Sequence, residues 1–208
     1  MGNIRIEKLA PLSGVISLLL FCIGAALLGI YEYLPIADKL KAILDTNASS
    51  IFTGGYLGSI SAFFMIWFAG SVYSALREQE GGTGRLSMVA FGGGVASSVA
   101  LASGFSAILT SGARAGAAGG ITAIEAVTLY DLYSQVLGGM FAITMAVFIG
   151  ATGTVSLRTA MFPSWFGWVS VLIAIGLLTP FAYAVLALVL IWLIIVSFWL
   201  YRRGLSTT

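Results

Sequence analysis

Histidine is absent from the 208 residues, and cysteine occurs once, as Cys22. Those two shortages remove much chemistry. Haem ligation through histidine, histidine-rich zinc sites, copper sites, and Ser-His-Asp or Cys-His catalysis all lack their constituents. An internal disulfide is excluded too, and Cys22, inside the first apolar run, reads as a small apolar filler. Charge is the third shortage: the charged residues make up 9% of the chain, against roughly 25% in soluble domains. They cluster between long apolar runs, and no Asp or Glu lies well inside a run. A charge at the centre of a span costs about 2.5–3.5 kcal/mol on insertion scales, so functional acids there usually stand out. Their absence argues against an intramembrane acid hydrolase and against proton- or ion-coupled transport. With a net charge of +2 and no basic stripe, nucleic-acid binding has no support.

What the chain does contain is apolar sequence: 59% hydrophobic residues and a mean hydropathy of +1.03. A crossing helix needs about 20 residues. The runs predict a single membrane-embedded domain over 1–208, an all-α polytopic transmembrane bundle of six helices at about 11–30, 55–76, 86–110, 132–155, 165–179 and 181–201. The last two are separated at Thr179-Pro180 because the block is too long for one crossing. Arg5 and Lys8 before 18–26 superficially resemble a secretory signal, but the apolar stretch is long enough to span and lacks a small-x-small end, so it is read as uncleaved.

The intervals also carry pattern. The first helix is expected to end at Tyr31-Glu32-Tyr33, and residues 32–54 to form a surface connection. Within it Ile36, Leu40, Ile43 and Leu44 recur at helical spacing, which fits either a short interfacial helix or an ordinary loop. Residues 111–120 are of low complexity, and 121–131 read as a short surface helix. The glycines of 81–84 lack the Lys-Ser/Thr ending and preceding strand of a phosphate loop, so they read as a turn.

In the third helix Ala90, Gly93, Ser97, Ala100, Gly104 and Ala107 repeat at spacings of three and four, forming a smooth stripe that lets neighbouring backbones approach. That stripe marks this helix as the expected bundle centre. Ser97, Ser98, Ser103 and Ser106 are read as packing residues rather than as the lining of a polar cavity.

Orientation follows from the cations. With both termini cytoplasmic, the inner side receives Arg5, Lys8, Arg77, Arg85, Arg158, Arg202 and Arg203, and the outer side only Lys39, Lys41 and Arg114. Every tyrosine falls near a predicted helix end, as interfacial rings do. Trp67 and Trp192 lie deeper.

The best polar constellation is on the outer side: Arg114, Glu125, Asp131 and Gln135, with Tyr130 and Tyr133 nearby. It reads either as a ligand-orienting cluster at the bundle mouth or, more simply, as wet residues that end insertion. No catalytic, cofactor-binding or metal residue is assigned.

The stretch from Trp67 to Arg77, then Gly84-Arg85-Leu86-Ser87-Met88-Val89-Ala90-Phe91-Gly92-Gly93-Gly94, resembles a pattern in uncharacterised bacterial, often actinobacterial, multi-pass membrane proteins. Leu157-Arg158 followed by Phe162-Pro163-Ser164-Trp165-Phe166-Gly167-Trp168 resembles their second recurrent segment. The resemblance implies a six-helix bacterial inner-membrane protein and carries no catalytic residues with it. The expected role is a non-enzymatic accessory, lipid-associated or assembly component, with membrane lipids and a membrane-protein partner or second copy as its partners. The alternative is a small transporter or channel for a neutral or apolar solute.

Two measurements address the non-enzymatic expectation. The purified protein should hold no stoichiometric transition metal, and Glu125→Gln and Asp131→Asn variants should retain whatever cellular phenotype the gene supports. Complete loss in a variant that still inserts would make the outer acids a site.

Overall fold

The computed structural model of the protein describes residues 9–29 and 36–206. Within them the chain forms six helical rods and no strand. These are α1 (Ala10–Leu28), α2 (Ala37–Glu80), α3 (Arg85–Ala115), α4 (Ala123–Thr159), α5 (Ser164–Leu177) and α6 (Ala182–Ser206). All but α5 are long and apolar enough to cross a membrane. With 14 residues α5 is about 21 Å long, short of the roughly 30 Å hydrocarbon core.

Local chemistry sets the ends. Pro11 sits in the opening 3-10 turn of α1, where its missing N–H costs nothing. The α2–α3 turn is held from both sides: the Arg77 guanidinium donates to the Gly81 and Gly82 carbonyls at 3.0 Å each, while the Glu80 carboxylate accepts from the Leu86 and Ser87 amides. Glu80 therefore caps α3. At the start of α4, Thr122 and Glu125 form a reciprocal capping box.

Several expected boundaries move. The expected connection at 32–54 is helical from Ala37 on and joins the span at 55–76 across a kink at Asn47, so α2 is two helices in one 44-residue element. Of the two readings of 36–44 the helical one holds: a short helix precedes the kink, and Leu40, Leu44 and, beyond the kink, Ile51 are completely buried against the bundle. The polar run does not end the element because Thr46, Asn47 and Thr53 bond back to the carbonyls four residues earlier. Only Asn47 leaves helical geometry, as a kink. Likewise α3 runs past 110 to Ala115, and 121–131 is no separate surface helix but the opening of α4. A π-helical turn, Val136–Phe141, lies within α4. The predicted end of the first helix at Tyr31-Glu32-Tyr33 falls outside the described residues, although α1 itself stops at Leu28.

Sequential helices are antiparallel throughout. Gly24 meets Gly54, Gly55 meets Leu109, Gly93 meets Phe148, Gly153 meets Ser170, and Gly176 meets Val185. Further pairs keep the same register, among them Ser17 with Ser61 and Phe162 with Trp199. The start of α1 and the end of α6 consequently lie at one end of the bundle, where Gly14 meets Ser197. In the interior, Phe68, Phe148 and Trp192 are fully buried with T-shaped rings at 6.0 and 5.6 Å, and the Trp192 indole donates to Ser170 Oγ at 2.9 Å. Trp67, by contrast, is 53% exposed on the outer surface.

The stripe residues Ala90, Gly93, Ser97, Ala100, Gly104 and Ala107 are all buried. They face α4: a Cβ on Gly93 would lie 2.7 Å from the Phe148 amide nitrogen, and Ser97 Oγ lies 3.1 Å from Thr144 Oγ1. Yet α3 is not the most enclosed rod. The most apolar stretch of α4 is 56% buried against 44% for α3, because α4 also packs on α5 and reaches α6.

This packing makes a paired prediction. Gly93→Leu should destabilise the protein by about 3 kcal/mol or more, since the obstacle is backbone. Gly92→Leu, next to it with nothing within 4 Å, should stay within about 1 kcal/mol of wild type. Thermal melts in detergent compare the two, and equal tolerance would contradict the α3–α4 seam.

Candidate functional site: a tyrosine-headed crevice

The outer polar residues do not assemble as one cluster. Arg114, in the last turn of α3, pairs with Glu125 at 2.6 Å, both side chains substantially exposed. Glu125 also accepts from the Thr122 amide and hydroxyl at 3.0 Å each, so its carboxylate is engaged in starting α4 and tying it to α3. Asp131 and Gln135 lie about two and three turns beyond Glu125 along α4, half-buried and exposed respectively. Among the described residues, no hydrogen bond or ion pair joins them to the Arg114–Glu125 pair. Their arrangement is that of helix-end anchors.

The four serines separate as well. Ser97 and Ser98 are buried and donate to the Gly93 and Gly94 carbonyls, while Ser103 and Ser106 are exposed. They line no common space. Among the described residues, no group of three or more Cys, Asp or Glu side chains can hold a metal ion.

What the fold does bring together is tyrosine. Tyr130 and Tyr133, one turn apart on α4, have ring centroids 6.3 Å from each other, and Tyr133 stands edge-on to Phe105 of α3 at 5.5 Å. Phe105 in turn meets Phe21 of α1. From α6, Tyr183 crosses to α4 and donates its hydroxyl to the Ser134 carbonyl at 2.8 Å. That carbonyl lies just upstream of the π-helical turn, a distortion that often marks functional positions. Gly138 permits the approach, because a Cβ there would collide with the Tyr183 phenol.

Below these rings lies a crevice of about 370 Å³. One wall is α6, from Tyr183 to Leu193. The other is built by Ser17, Leu18 and Phe21 of α1, Met65 of α2, Leu101 of α3, and the α4 residues from Tyr130 to Phe141. Ten residues of α6 make it about 15 Å long. Its hydroxyls gather at the tyrosine end, whereas the far end offers only Ser17, whose hydroxyl is engaged with the Ser61 carbonyl at 2.8 Å. Among the described residues, no Asp, Glu, Lys or Arg lines it. The crevice is partly open, for Tyr183 and Ala187 on its wall are exposed. Its size and largely apolar lining match those of small-molecule sites.

Sequence reasoning placed Tyr130, Tyr133 and Tyr183 as interfacial anchors and did not bring them together. The one legible signal is the Gly138-Gly139 pair inside an otherwise large-sided stretch of α4. A double-mutant cycle checks the contact. Tyr183→Phe should cost about 1 kcal/mol through the lost hydrogen bond, and Gly138→Ala should destabilise wild type clearly more than a Tyr183→Ala background. Additive effects in unfolding measurements would mean the two residues do not touch.

Comparison with protein-family models, curated proteins and solved structures finds no match.

Proposed function

We propose that this protein is a non-enzymatic, lipid-associated component of a bacterial inner membrane, crossing it six times with both termini cytoplasmic and holding an apolar chain in its crevice. The observation that carries the reading is the crevice: about 370 Å³, walled largely by Leu, Met, Phe and Val, with no charged side chain among the described residues that line it. A space of that lining is filled by hydrocarbon at lower free energy than by water.

Support for the sixth crossing comes from pairing. Although α5 is short, Phe162 meets Trp199, Ser170 meets Trp192 and Gly176 meets Val185, so the α5–α6 hairpin covers nearly the same depth as the apolar part of α6. Exposed Trp165 and Trp168 at one end of α5 suit an interface. The end shared by α1's start and α6's finish also holds Arg77, Arg85, Arg158, Arg202 and Arg203, the heavier basic share expected of a cytoplasmic face. A transport route for a neutral solute draws less support, since aromatic rings fill the bundle interior and buried Ser97, Ser98, Thr152 and Ser170 bond back to their own helices.

Two measurements test the proposal. In a Cys22→Ser background, single cysteines at 118 and 160 should label from outside and inside respectively, and an externally accessible C-terminus would overturn the topology. Purified in lipid nanodiscs, wild type should retain a chain-bearing lipid in native mass spectrometry, and Leu190→Trp, which fills the crevice, should lose it while melting like wild type. Equal retention by that variant would remove the binding reading.

A further inference from the structure

We infer that a second site, at the opposite end of the bundle from the tyrosines, binds the headgroup of a phospholipid bearing a primary ammonium, its phosphate on Arg158 and its ammonium among the acceptors beside Glu80. The inference needs the chain to lie in a membrane but does not rest on the crevice holding a ligand.

The site is a polar pocket of about 470 Å³ where the α2–α3 turn meets the last turn of α4. Residues 79–83 form one side, and Val155, Arg158 and Thr159 the other. Its depth is that of a membrane surface. Leu157, next to Arg158, packs against Gly167, and Trp165 and Trp168 near that contact are 62% and 61% exposed, as rings at the headgroup level are.

Both signs of charge reach this pocket without cancelling each other. Arg158 is exposed, and among the described residues its guanidinium has no hydrogen bond or ion pair. Glu80 accepts from the Leu86 amide at 3.0 Å and the Ser87 amide at 2.8 Å, besides the Ser87 hydroxyl. A carboxylate offers about four lone-pair sites, so one further donor can be accepted. Both α2 and α4 end here, and helix C-termini add carbonyl oxygens and partial negative charge. Arg77, donating to the Gly81 and Gly82 carbonyls, answers part of that need on α2.

These groups choose between ligands. An anion alone would pair with Arg158 but face Glu80 and two helix C-termini, whereas a cation alone would face Arg158. A zwitterion satisfies both halves. The planar guanidinium fork matches two phosphate oxygens, and a primary ammonium supplies three donors for carboxylate and carbonyl oxygens. A trimethylated ammonium keeps the charge but has no N–H to donate. The Gln79 amide and Thr83 hydroxyl, which make no hydrogen bond among the described residues, can serve either half.

The test uses the full chain in nanodiscs whose lipid composition is varied, with bound lipid counted by native mass spectrometry. Wild type should hold phosphatidylethanolamine at least about tenfold more tightly than phosphatidylcholine or phosphatidylglycerol. Arg158→Gln should weaken that binding about fivefold or more, and Thr83→Trp, which fills the pocket from an exposed turn, should abolish the preference while melting like wild type. Leu190→Trp, in the crevice, should leave the preference unchanged. Equal affinity for phosphatidylglycerol would overturn the pairing of the ammonium, and equal affinity for phosphatidylcholine its role as a donor. A preference that survives both Arg158→Gln and Thr83→Trp, or that disappears in Leu190→Trp, would overturn the placement in this pocket. Displacement of the lipid by soluble glycerophosphoethanolamine at comparable concentration would overturn the membrane as the ligand's source.

Discussion

Close backbone contact at small residues is the interaction on which the rest of this bundle depends. Lipid is as apolar as leucine, so helices in a membrane gain little by hiding hydrocarbon from it, and association relies on van der Waals fit and interhelical hydrogen bonds. Gly24 and Gly54 approach so closely that a Cβ on either would fall within 2.8 Å of the other's carbonyl oxygen. Gly55 against Leu109, Gly93 against Phe148, and Gly153 against Ser170 and Gly167 repeat the arrangement at successive interfaces. Each seam removes side-chain volume where two rods cross. Large rings fill the space that the missing side chains leave, Phe105 against Gly58, Phe68 against Gly14 and Phe148 against Gly94.

The crevice follows from a place where this seam pattern stops. On α6, the contacts with α1 and α5 are tight, through Ser197 with Gly14, Trp192 with Ser170, and Val185 with Gly176. Toward α4 the close approach is made by Tyr183 near the start of α6, through a single hydrogen bond beside a π-helical turn and a glycine. Below that bridge the facing side chains, Leu137 and Phe141 against Leu186 and Leu190, do not close the gap. The site is therefore a consequence of packing geometry, and most of its polar groups, Tyr130, Tyr133, Ser134 and Tyr183, gather at the bridge end.

Polar residues elsewhere serve the fold. Glu80 and Arg77 lock the turn between α2 and α3, Thr122 and Glu125 open α4, and Arg114 ties that opening to the end of α3. These groups sit where helix ends leave backbone donors and acceptors unmatched, a need that is acute near a low-dielectric core. This explains why Glu125, among the most suggestive residues by composition, is occupied with capping and pairing.

Membrane embedding, the all-helical class and the approximate course of the apolar rods are set by composition and run length, because a hydrocarbon core admits only segments that satisfy their own backbone. The small stripe on α3 is legible for the same reason: it is a local spacing of three and four. Helix ends were less legible. The polar stretch at 47–50 looks like a loop and 121–131 like a separate surface helix, but helix continues through both, with a kink at Asn47, because Leu40, Leu44, Ala126 and Tyr130 find protein to pack against. The Thr122–Glu125 spacing is the local signal of a capping box at the start of α4. The crevice belongs to tertiary structure alone: Phe21, Leu101, Tyr133 and Tyr183 are far apart in the chain, and only the crossing angles of α1, α3, α4 and α6 decide that they face one space.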